Sequence, residues 1–369
     1  IPINIDLKFN KMSDSGKVKI DDGKLSFQIL KRISTSKIKV KAKNSGIIQT
    51  RKGINISGLD IGLPAISKQD LEYVKLAIKL NVDWIALSFV QSHLDREPVD
   101  KLLKRSNIKI PLIAKIEKPE AVDNINSIIN SFDGILIARG DLGLEMELEK
   151  VPSLQKKIIK KCNLKCKPVI TATQMLESMI SSPLPTRAEV NDVAGAIYDG
   201  SDAIMLSGET AVGQFPLESI RMMKSITVNV EKEVLMNDQF NRFVQIPDKN
   251  NPKKSICYSA FQMSKDLSIK VMVIMTESGN TGNTMSSFRP NAAIIAMTPN
   301  ENVYRQLSLT WGVIPVKVRK FRSTDQMLKF NKEFLIEKGL VRSDELFIMT
   351  AGVPIGITGT TNMIKIESV

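Results

Sequence analysis

Residues 133–146 read DGILIARGDLGLEM, and the fold of the chain turns on them. An apolar run, 135–138, breaks off abruptly in Arg139, Gly140, Asp141, Leu142 and Gly143. Apolar residues in a continuous row, without alternation, are the pattern of a strand buried on both faces. Such a strand delivers a cation, a flexible backbone and a carboxylate to one spot. Taken alone, Arg-Gly-Asp suggests a cell-adhesion tripeptide; behind a buried strand it reads as part of a site.

The same texture recurs on either side. VDWIALSFV (82–90), IPLIAKIE (110–117), KPVITATQM (167–175) and SDAIMLSGE (201–209) are short apolar runs of the same kind. Each is followed by a segment with helical periodicity: 96–106, 121–131, 151–165, 187–199 and 216–233, the third of these following the 133–146 stretch. Strands alternating with helices predict a parallel sheet. A further amphipathic helix precedes them at 67–81, with Ser67 as its N-cap and Asp70 three residues on. All five strands end in polar groups: Ser88; Lys115 and Glu117; Arg139 and Asp141; Thr171 and Thr173; Ser207 and Glu209. Convergence of every strand end on one rim favours a (β/α)₈ barrel over an open sheet, which uses mainly its switch point. A barrel needs eight units, so three more are expected upstream.

Residues 1–63 are β-rich and carry no long helical pattern. KVKIDDGKLSFQIL (17–30) is a hairpin about Asp21, Asp22 and Gly23, and 37–44, 46–50 and 53–58 continue the strand pattern. The small β piece is expected to be inserted in a barrel loop. From about residue 251 a second α/β region begins, with strands at 271–275, 292–297, 312–318, 345–350 and 362–367. Two of its loops, TESGNTGNT (276–284) and AGVPIGITGTTN (351–362), could hold phosphate.

Composition narrows the function. With 43% hydrophobic and 25% charged residues the chain is globular rather than disordered. No run approaches the roughly 18 apolar residues of a membrane span, and the opening residues lack the order of a secretory leader. Three cysteines, Cys162, Cys166 and Cys257, make a poor disulfide framework and predict a reducing compartment. Cys162 and Cys166 could share a helix face, but no second pair of ligands completes a zinc site. His93 is the only histidine, which leaves triads and histidine clusters without material. The net charge of +13 is spread over separate segments and aromatics are 5%, so surface lysine is favoured over specific nucleic-acid binding.

Lys115 and Glu117 lie two apart on a strand and share a face. Charges inside a barrel need partners. With Asp141 one strand later, two carboxylates suit Mg²⁺, which keeps waters and takes further oxygens from a phosphorylated substrate. A buried Lys–Glu pair without chemistry is the alternative; Thr173, Ser207 and Glu209 at the same rim favour a site. Gly140 and Gly143 allow backbone N–H groups to turn toward an anion. In PTRAEVNDV (185–193), Thr186 and Glu189 form a capping box, while Arg187 and Asp192 suggest contacts between subunits or toward the site.

Segments 113–120, 133–143, 168–180, 185–193 and 201–210 resemble the pyruvate kinase family in sequence, order and spacing, and the likeness runs through DDG (21–23), RKGINISG (51–58) and LPAIS (63–67) to TAGVPIGITGTTN (350–362), essentially the whole chain. The resemblance implies an α/β fold: a (β/α)₈ TIM barrel, a small β-barrel lid domain inserted in it, and a C-terminal α/β regulatory domain. Residues 1–63 would be part of the lid, 64–235 the last five barrel units or so, and 236–369 the regulatory domain. It implies phosphoryl transfer from phosphoenolpyruvate to ADP, giving ATP and pyruvate, with Mg²⁺ (or Mn²⁺) and usually K⁺. Carried over by motif, Lys115 would stabilise phosphoryl and enolate charge, and Glu117 and Asp141 would bind the metal. Gly140, Asp141 and Thr173 would hold the substrate carboxylate, and Ser207 and Glu209 resemble residues that relay a proton to the enolate. Thr173 is a weak acid, so a catalytic role for it as proton donor would run through water. Arg139 is expected in the catalytic set as an orienter of its neighbours. Asp22 and Lys52 match positions that approach nucleotide phosphates.

Thr276, Ser278, Asn280 and Thr281 resemble the family's effector loop. Glu277 stands where some bisphosphate-responsive members carry lysine, which predicts a sugar monophosphate, a nucleotide monophosphate or no effector. A homo-oligomer, expected as a tetramer, and a cytoplasmic location follow from the resemblance, with a plastid or other organelle as the alternative. The family's phosphate-binding arginine, K⁺ ligands and part of its adenosine site find no counterpart here, so a longer parent chain is expected. Another phosphoenolpyruvate- or pyruvate-binding barrel, such as a lyase, is the competing enzyme class.

Overall fold

The structure is a computed structural model and describes residues 11–21, 23–34, 36–50, 52–60, 65–236, 247, 250–355 and 361–369. The first unit is an antiparallel sheet of β1 (Lys11–Ile20), β2 (Leu25–Ser34), β3 (Lys37–Ala42) and β4 (Ile54–Asp60), in the order β3-β2-β1-β4. The expected hairpin forms with Ile20 opposite Leu25, and left-handed Asp21 (φ 54°) and Gly23 (φ 83°) turn the chain. Period-two alternation buries Val18, Ile20, Leu25 and Ile29 on one face. The strand expected at 46–50 does not form. Ile47 and Ile48 are 86% and 42% exposed, so this stretch has no surface to cover and crosses Leu25 as irregular chain.

The second unit runs α1 (Lys68–Leu80), β5 (Ile85–Leu87), α2 (Glu97–Arg105), β6 (Leu112–Ile116), α3 (Pro119–Asp123), α4 (Ile125–Ser131) and β7 (Gly134–Ala138). It continues through α5 (Arg139–Glu145), α6 (Val151–Leu164), β8 (Val169–Ala172), α7 (Arg187–Tyr198), β9 (Ala203–Met205), α8 (Gly208–Ala211) and α9 (Pro216–Met236). The five strands are parallel and adjacent in chain order, β5-β6-β7-β8-β9. That is an arc of a barrel wall, as the strand-helix alternation predicted. The pleat divides the strands' side chains in two. Leu112, Ala114, Ile116, Ile135 and Ile137 pack outward with Ile128, Ile129, Phe132, Ile158 and Ile159 of the helical layer. Ile113, Leu136, Ala138, Ile170 and Ala172 line the inner side. The capping boxes expected at Ser67/Asp70 and Thr186/Glu189 are both present.

The third unit comprises α10 (Pro252–Asp266), β10 (Val271–Met275), α11 (Asn280–Ser286), β11 (Ala293–Thr298), α12 (Glu301–Gln306), β12 (Val313–Lys317), α13 (Thr324–Glu337), β13 (Leu346–Gly352) and β14 (Thr361–Ser368). Its sheet order, β12-β11-β10-β13-β14, is parallel except for β14 and reverses direction between β10 and β13. A crevice at such a switch point is where open α/β sheets bind ligands. The unit is fixed to the barrel base by Arg289. Its fully buried guanidinium lies 2.9 Å from Asp202, donates to the Gly200 carbonyl at 2.7 Å and sits over the Trp311 ring.

Candidate active site

The site begins on β6. Ile113 and Lys115 face the inner side, and Glu117, just past the strand, keeps that direction. Glu117 is only 2% exposed, so its charge must be met inside. One carboxylate oxygen lies 2.7 Å from Lys115 Nζ, and the other accepts the Phe89 N–H at 2.8 Å. Lys115 also donates to Ser88 Oγ at 2.9 Å. Phe89 follows β5 in the left-handed region (φ 55°), strained for an aromatic residue, and its N–H is spent on the carboxylate. Two neighbouring strand ends are thus joined through one ion pair.

At the end of β7 the Arg-Gly-Asp segment is not a loose glycine turn. It winds directly into α5, with Asp141 in the first turn. Neither Gly140 nor Gly143 is among the residues with positive φ; what they supply is room. A Cβ on Gly143 would lie 2.8 Å from Leu148 Cδ2, and one on Gly140 would lie 3.4 Å from Thr173 Oγ1. Gly140 and Thr173 are brought together as the sequence suggested, but bonded to each other. The Gly140 N–H donates to Thr173 Oγ1 at 2.8 Å, and that hydroxyl donates to the Ala172 carbonyl at 2.6 Å.

Thr173 and Gln174 are consecutive left-handed residues (φ 66° and 54°) at the end of β8. Non-glycine residues hold this conformation only where their surroundings impose it. Arg139 supplies the constraint. It donates to the Thr173 carbonyl at 2.9 Å and to Asp192 Oδ1 on α7 at 2.6 Å. Arg139, expected in the catalytic set as an orienter, turns its guanidinium to the protein and fixes the β8 loop. Of the two residues singled out in 185–193, Asp192 does reach toward the site.

Glu209, placed by sequence in a proton relay, is 2% exposed. Its two oxygens accept the backbone N–H groups of Leu176 at 3.0 Å and Ser207 at 2.8 Å. It therefore ties the loop after β8 to the loop after β9, and Ser207 sits at that tie.

The β-rich unit docks on α5. Lys19 donates to the Leu144 carbonyl, and Asn55 donates to Glu145 Oε1 at 2.7 Å, with Lys118 3.7 Å from the same oxygen. Burial, together with the nearby Lys17 charge, lowers the Lys19 pKa. Lys52 lies 2.9 Å from Asp21 at the hairpin turn, and hydrogen bonding to Lys52 holds the Asp21 carboxyl below its usual range. Asp22, the other expected nucleotide contact, lies outside the described residues.

No group of three histidine, cysteine or carboxylate side chains able to hold a metal occurs among the described residues. Glu117 and Asp141 are a pair of carboxylates on adjacent strand ends. That donor set fits Mg²⁺, whose other oxygens come from water and substrate phosphate. His93 opens a single 3₁₀ turn (His93–Arg96) capped by Ser92. Cys162 and Cys166 do not share a helix face: Cys162 is buried on α6, and Cys166 lies beyond its end at φ 54°.

Thr276, Ser278, Asn280 and Thr281 line one cavity at the β10/β13 crevice, with Lys253, Arg319 and Lys320. Two of the hydroxyls are already engaged: Thr276 Oγ1 accepts the Gly279 N–H at 3.0 Å, and Thr281 shares a 2.7 Å hydrogen bond with Thr361. Of the second expected phosphate loop (351–362), residues 356–360 lie outside the described residues.

Residues 2–220 match the family model described as "Pyruvate kinase, barrel domain", and 254–367 match "Pyruvate kinase, alpha/beta domain". This chain belongs to the pyruvate kinase family. It is similar to the pyruvate kinases of Staphylococcus aureus strains MRSA252 and USA300, at 44% identity over 356 residues in each case. Those alignments cover 95% of this chain, which spans 60% of the length of the curated relatives it matches. The family's barrel model thus takes in both the β-rich unit and the parallel arc. Sequence reasoning left Phe89 and Glu145 out of the site. Ser88, at the end of an apolar run, carried the only local signal; the others became visible when distant segments met.

Proposed function

We propose that the protein containing this chain transfers phosphoryl from phosphoenolpyruvate to ADP, yielding ATP and pyruvate, the last step of glycolysis. The observation that carries this reading is the Lys115–Glu117 pair at the end of β6, one strand from Asp141. Phosphoryl transfer asks a protein mainly to position groups and stabilise charge. Lys115, steered by Ser88 and Glu117, sets an ammonium against charge developing on the phosphoryl group and the enolate. Glu117 and Asp141 would hold Mg²⁺, which when bound neutralises phosphate oxygens. Gly140, Asp141 and Thr173 would receive the substrate carboxylate, which must take the Gly140 N–H from the Thr173 hydroxyl. Thr173 is a weak acid whose hydroxyl donates to the Ala172 carbonyl, so any proton it gives the enolate would pass through water. Arg139 and Glu209 act by positioning the loops that carry Thr173 and Ser207.

The remaining assignments follow the family. Residues 1–63 would be part of the lid, 64–235 part of the barrel and 236–369 the regulatory domain. Lys52 and Asp22 would approach nucleotide phosphates, K⁺ would assist, and the assembly would be a homotetramer in the cytoplasm. No helix of the described residues is long and apolar enough to cross a membrane. The 276–281 loop would take a monophosphate effector, since Glu277 lines the same cavity and opposes a second phosphate.

The test is a lactate-dehydrogenase-coupled assay of the full-length protein with phosphoenolpyruvate, ADP and Mg²⁺. Lys115→Met is expected to lower kcat by about 10²–10³. Near-wild-type turnover in that variant, or no ADP-dependent pyruvate formation in the parent, overturns the assignment.

A further inference from the structure

The last turn of α5 is where the β-rich unit rests on the barrel. Gly23, in the hairpin turn at φ 83°, comes so close that a Cβ there would lie 2.7 Å from Leu144 Cδ2. Lys19 stands opposite Asn55 in the β1/β4 register, so both side chains leave the same face of the sheet. Lys19 donates to the Leu144 carbonyl, and Asn55 Nδ2 donates to Glu145 Oε1 at 2.7 Å. Asn55 Oδ1 is buried and meets no donor among the described residues. The bond to Glu145 is therefore what holds this desolvated amide in place, and a buried polar group with one bond depends on it heavily.

Glu145 in turn touches both strand ends that carry the proposed metal carboxylates. Lys118 Nζ lies 3.7 Å from the same Oε1, and Lys118 directly follows Glu117. Asp141 stands four residues before Glu145 on α5, which places the two one turn apart on one face. The Glu145 side chain is 12% exposed, so water screens its ion pair only in part. One carboxylate oxygen thus gathers the β-rich unit, the end of β6 and the helix that follows β7.

We propose that Glu145 is a positioning residue that couples docking of the β-rich unit to the placement of Glu117 and Asp141. With Asn55 and Lys118 on its oxygen, α5 and the backbone at 117–118 are held in one arrangement, and the two carboxylates stand set for a divalent cation. With the Asn55 bond broken, α5 keeps only its Leu144 contacts to the β-rich unit. The inference rests on the metal assignment made above. It goes beyond that assignment by making metal affinity depend on Asn55, a residue of another unit that is no metal ligand.

The test is electron paramagnetic resonance of free Mn²⁺ with the full-length protein in the absence of substrate, which reads the dissociation constant without turnover. Glu145→Ala and Asn55→Ala are each expected to raise that constant about tenfold, the lower end of what losing a hydrogen bond behind a metal site costs. The double variant should bind no more weakly than Glu145→Ala alone, because both changes remove the same bond. Asn55→Asp keeps the size of the side chain but sets a carboxylate against Glu145, and should weaken binding at least as much as Asn55→Ala. Glu147→Ala removes an exposed carboxylate that pairs with Lys150 instead, and should leave the constant within about twofold. Unchanged Mn²⁺ affinity in both Asn55 variants overturns the coupling, as do effects that multiply in the double variant. Equal weakening by Glu147→Ala would reduce the effect to lost negative charge and overturn it too. A parent protein that binds no Mn²⁺ would remove the metal assignment itself, and the coupling with it.

Discussion

The Arg139 guanidinium joins Asp192 of α7, at 2.6 Å, to the carbonyl of Thr173, at 2.9 Å. The two bonds tie the Arg-Gly-Asp segment to a strained turn on the next strand. Lysine keeps the charge but lacks the planar fork that reaches both partners. Arg139→Lys is therefore expected to lower kcat on the order of 10²-fold, as misplacement of a positioned group does. The KM for ADP should change little. Steady-state kinetics of the full-length variant checks this, and an unchanged kcat would show that the turn holds without the arginine.

Glu117 holds Lys115 on one oxygen and the Phe89 N–H on the other. Glu117→Gln keeps the shape and removes the charge proposed to bind Mg²⁺. The Mg²⁺ concentration for half-maximal activity should rise by about tenfold or more, as carboxylate ligands supply most of the protein's hold on this ion. A Mg²⁺ titration at saturating phosphoenolpyruvate is the measurement; an unmoved midpoint removes Glu117 from the ligand set.

The Arg289–Asp202 pair is buried on both sides, with side-chain exposures of 0% and 6%. Removing one partner leaves a desolvated charge behind. Asp202→Ala should destabilise the folded chain by about 3–5 kcal/mol. Urea unfolding gives the value, and a loss under about 1 kcal/mol would mean that water reaches Arg289 once Asp202 is gone.

Glu189 caps α7 through Thr186 and also accepts hydrogen bonds from the backbone and hydroxyl of Ser178. Burial alone would raise its pKa; the hydrogen bonds from Ser178 and Thr186 outweigh it and bring the value below 4.5. A carboxyl whose pKa falls on folding contributes stability above its unfolded value, and loses it as pH drops through the folded one. Glu189→Gln keeps the shape of the capping box and removes its charge, so it should lower Tm at pH 7, with a cost of about 0.3–1 kcal/mol. The gap between variant and parent should narrow below pH 4.5. Thermal denaturation at both pH values tests it, and a gap that widens in acid would contradict the capping role.

Burial pushes the Cys257 thiol up to about 12 and the Cys162 thiol higher still, whereas Cys166 is partly exposed at the domain junction. A thiol reagent at pH 8 should label Cys166 in the native chain and reach the other two only after unfolding. Mass spectrometry of the labelled peptides decides it; rapid native labelling of Cys257 would contradict its burial.

Period and punctuation were enough to find the strands, because a strand buried on both faces must be apolar throughout and must end where charge begins. Hence β6, β7 and β8 lie where LIAKI, GILIA and VITA indicated, and Lys115 and Glu117 share a face by pleat alone. The 46–50 stretch had strand composition but no partner surface, and composition cannot supply one. What the sequence left open was the use of each polar group. Arg139, Thr173 and Asp192 stand on three different elements, and only packing shows that the arginine serves the threonine's backbone instead of a substrate. The glycines of the Arg-Gly-Asp segment looked like flexibility and proved to be clearance, for Thr173 and Leu148. Local pattern determines which residues face inward. The distances between them are decided by contacts far apart in the chain, and those distances set which charges are free to act.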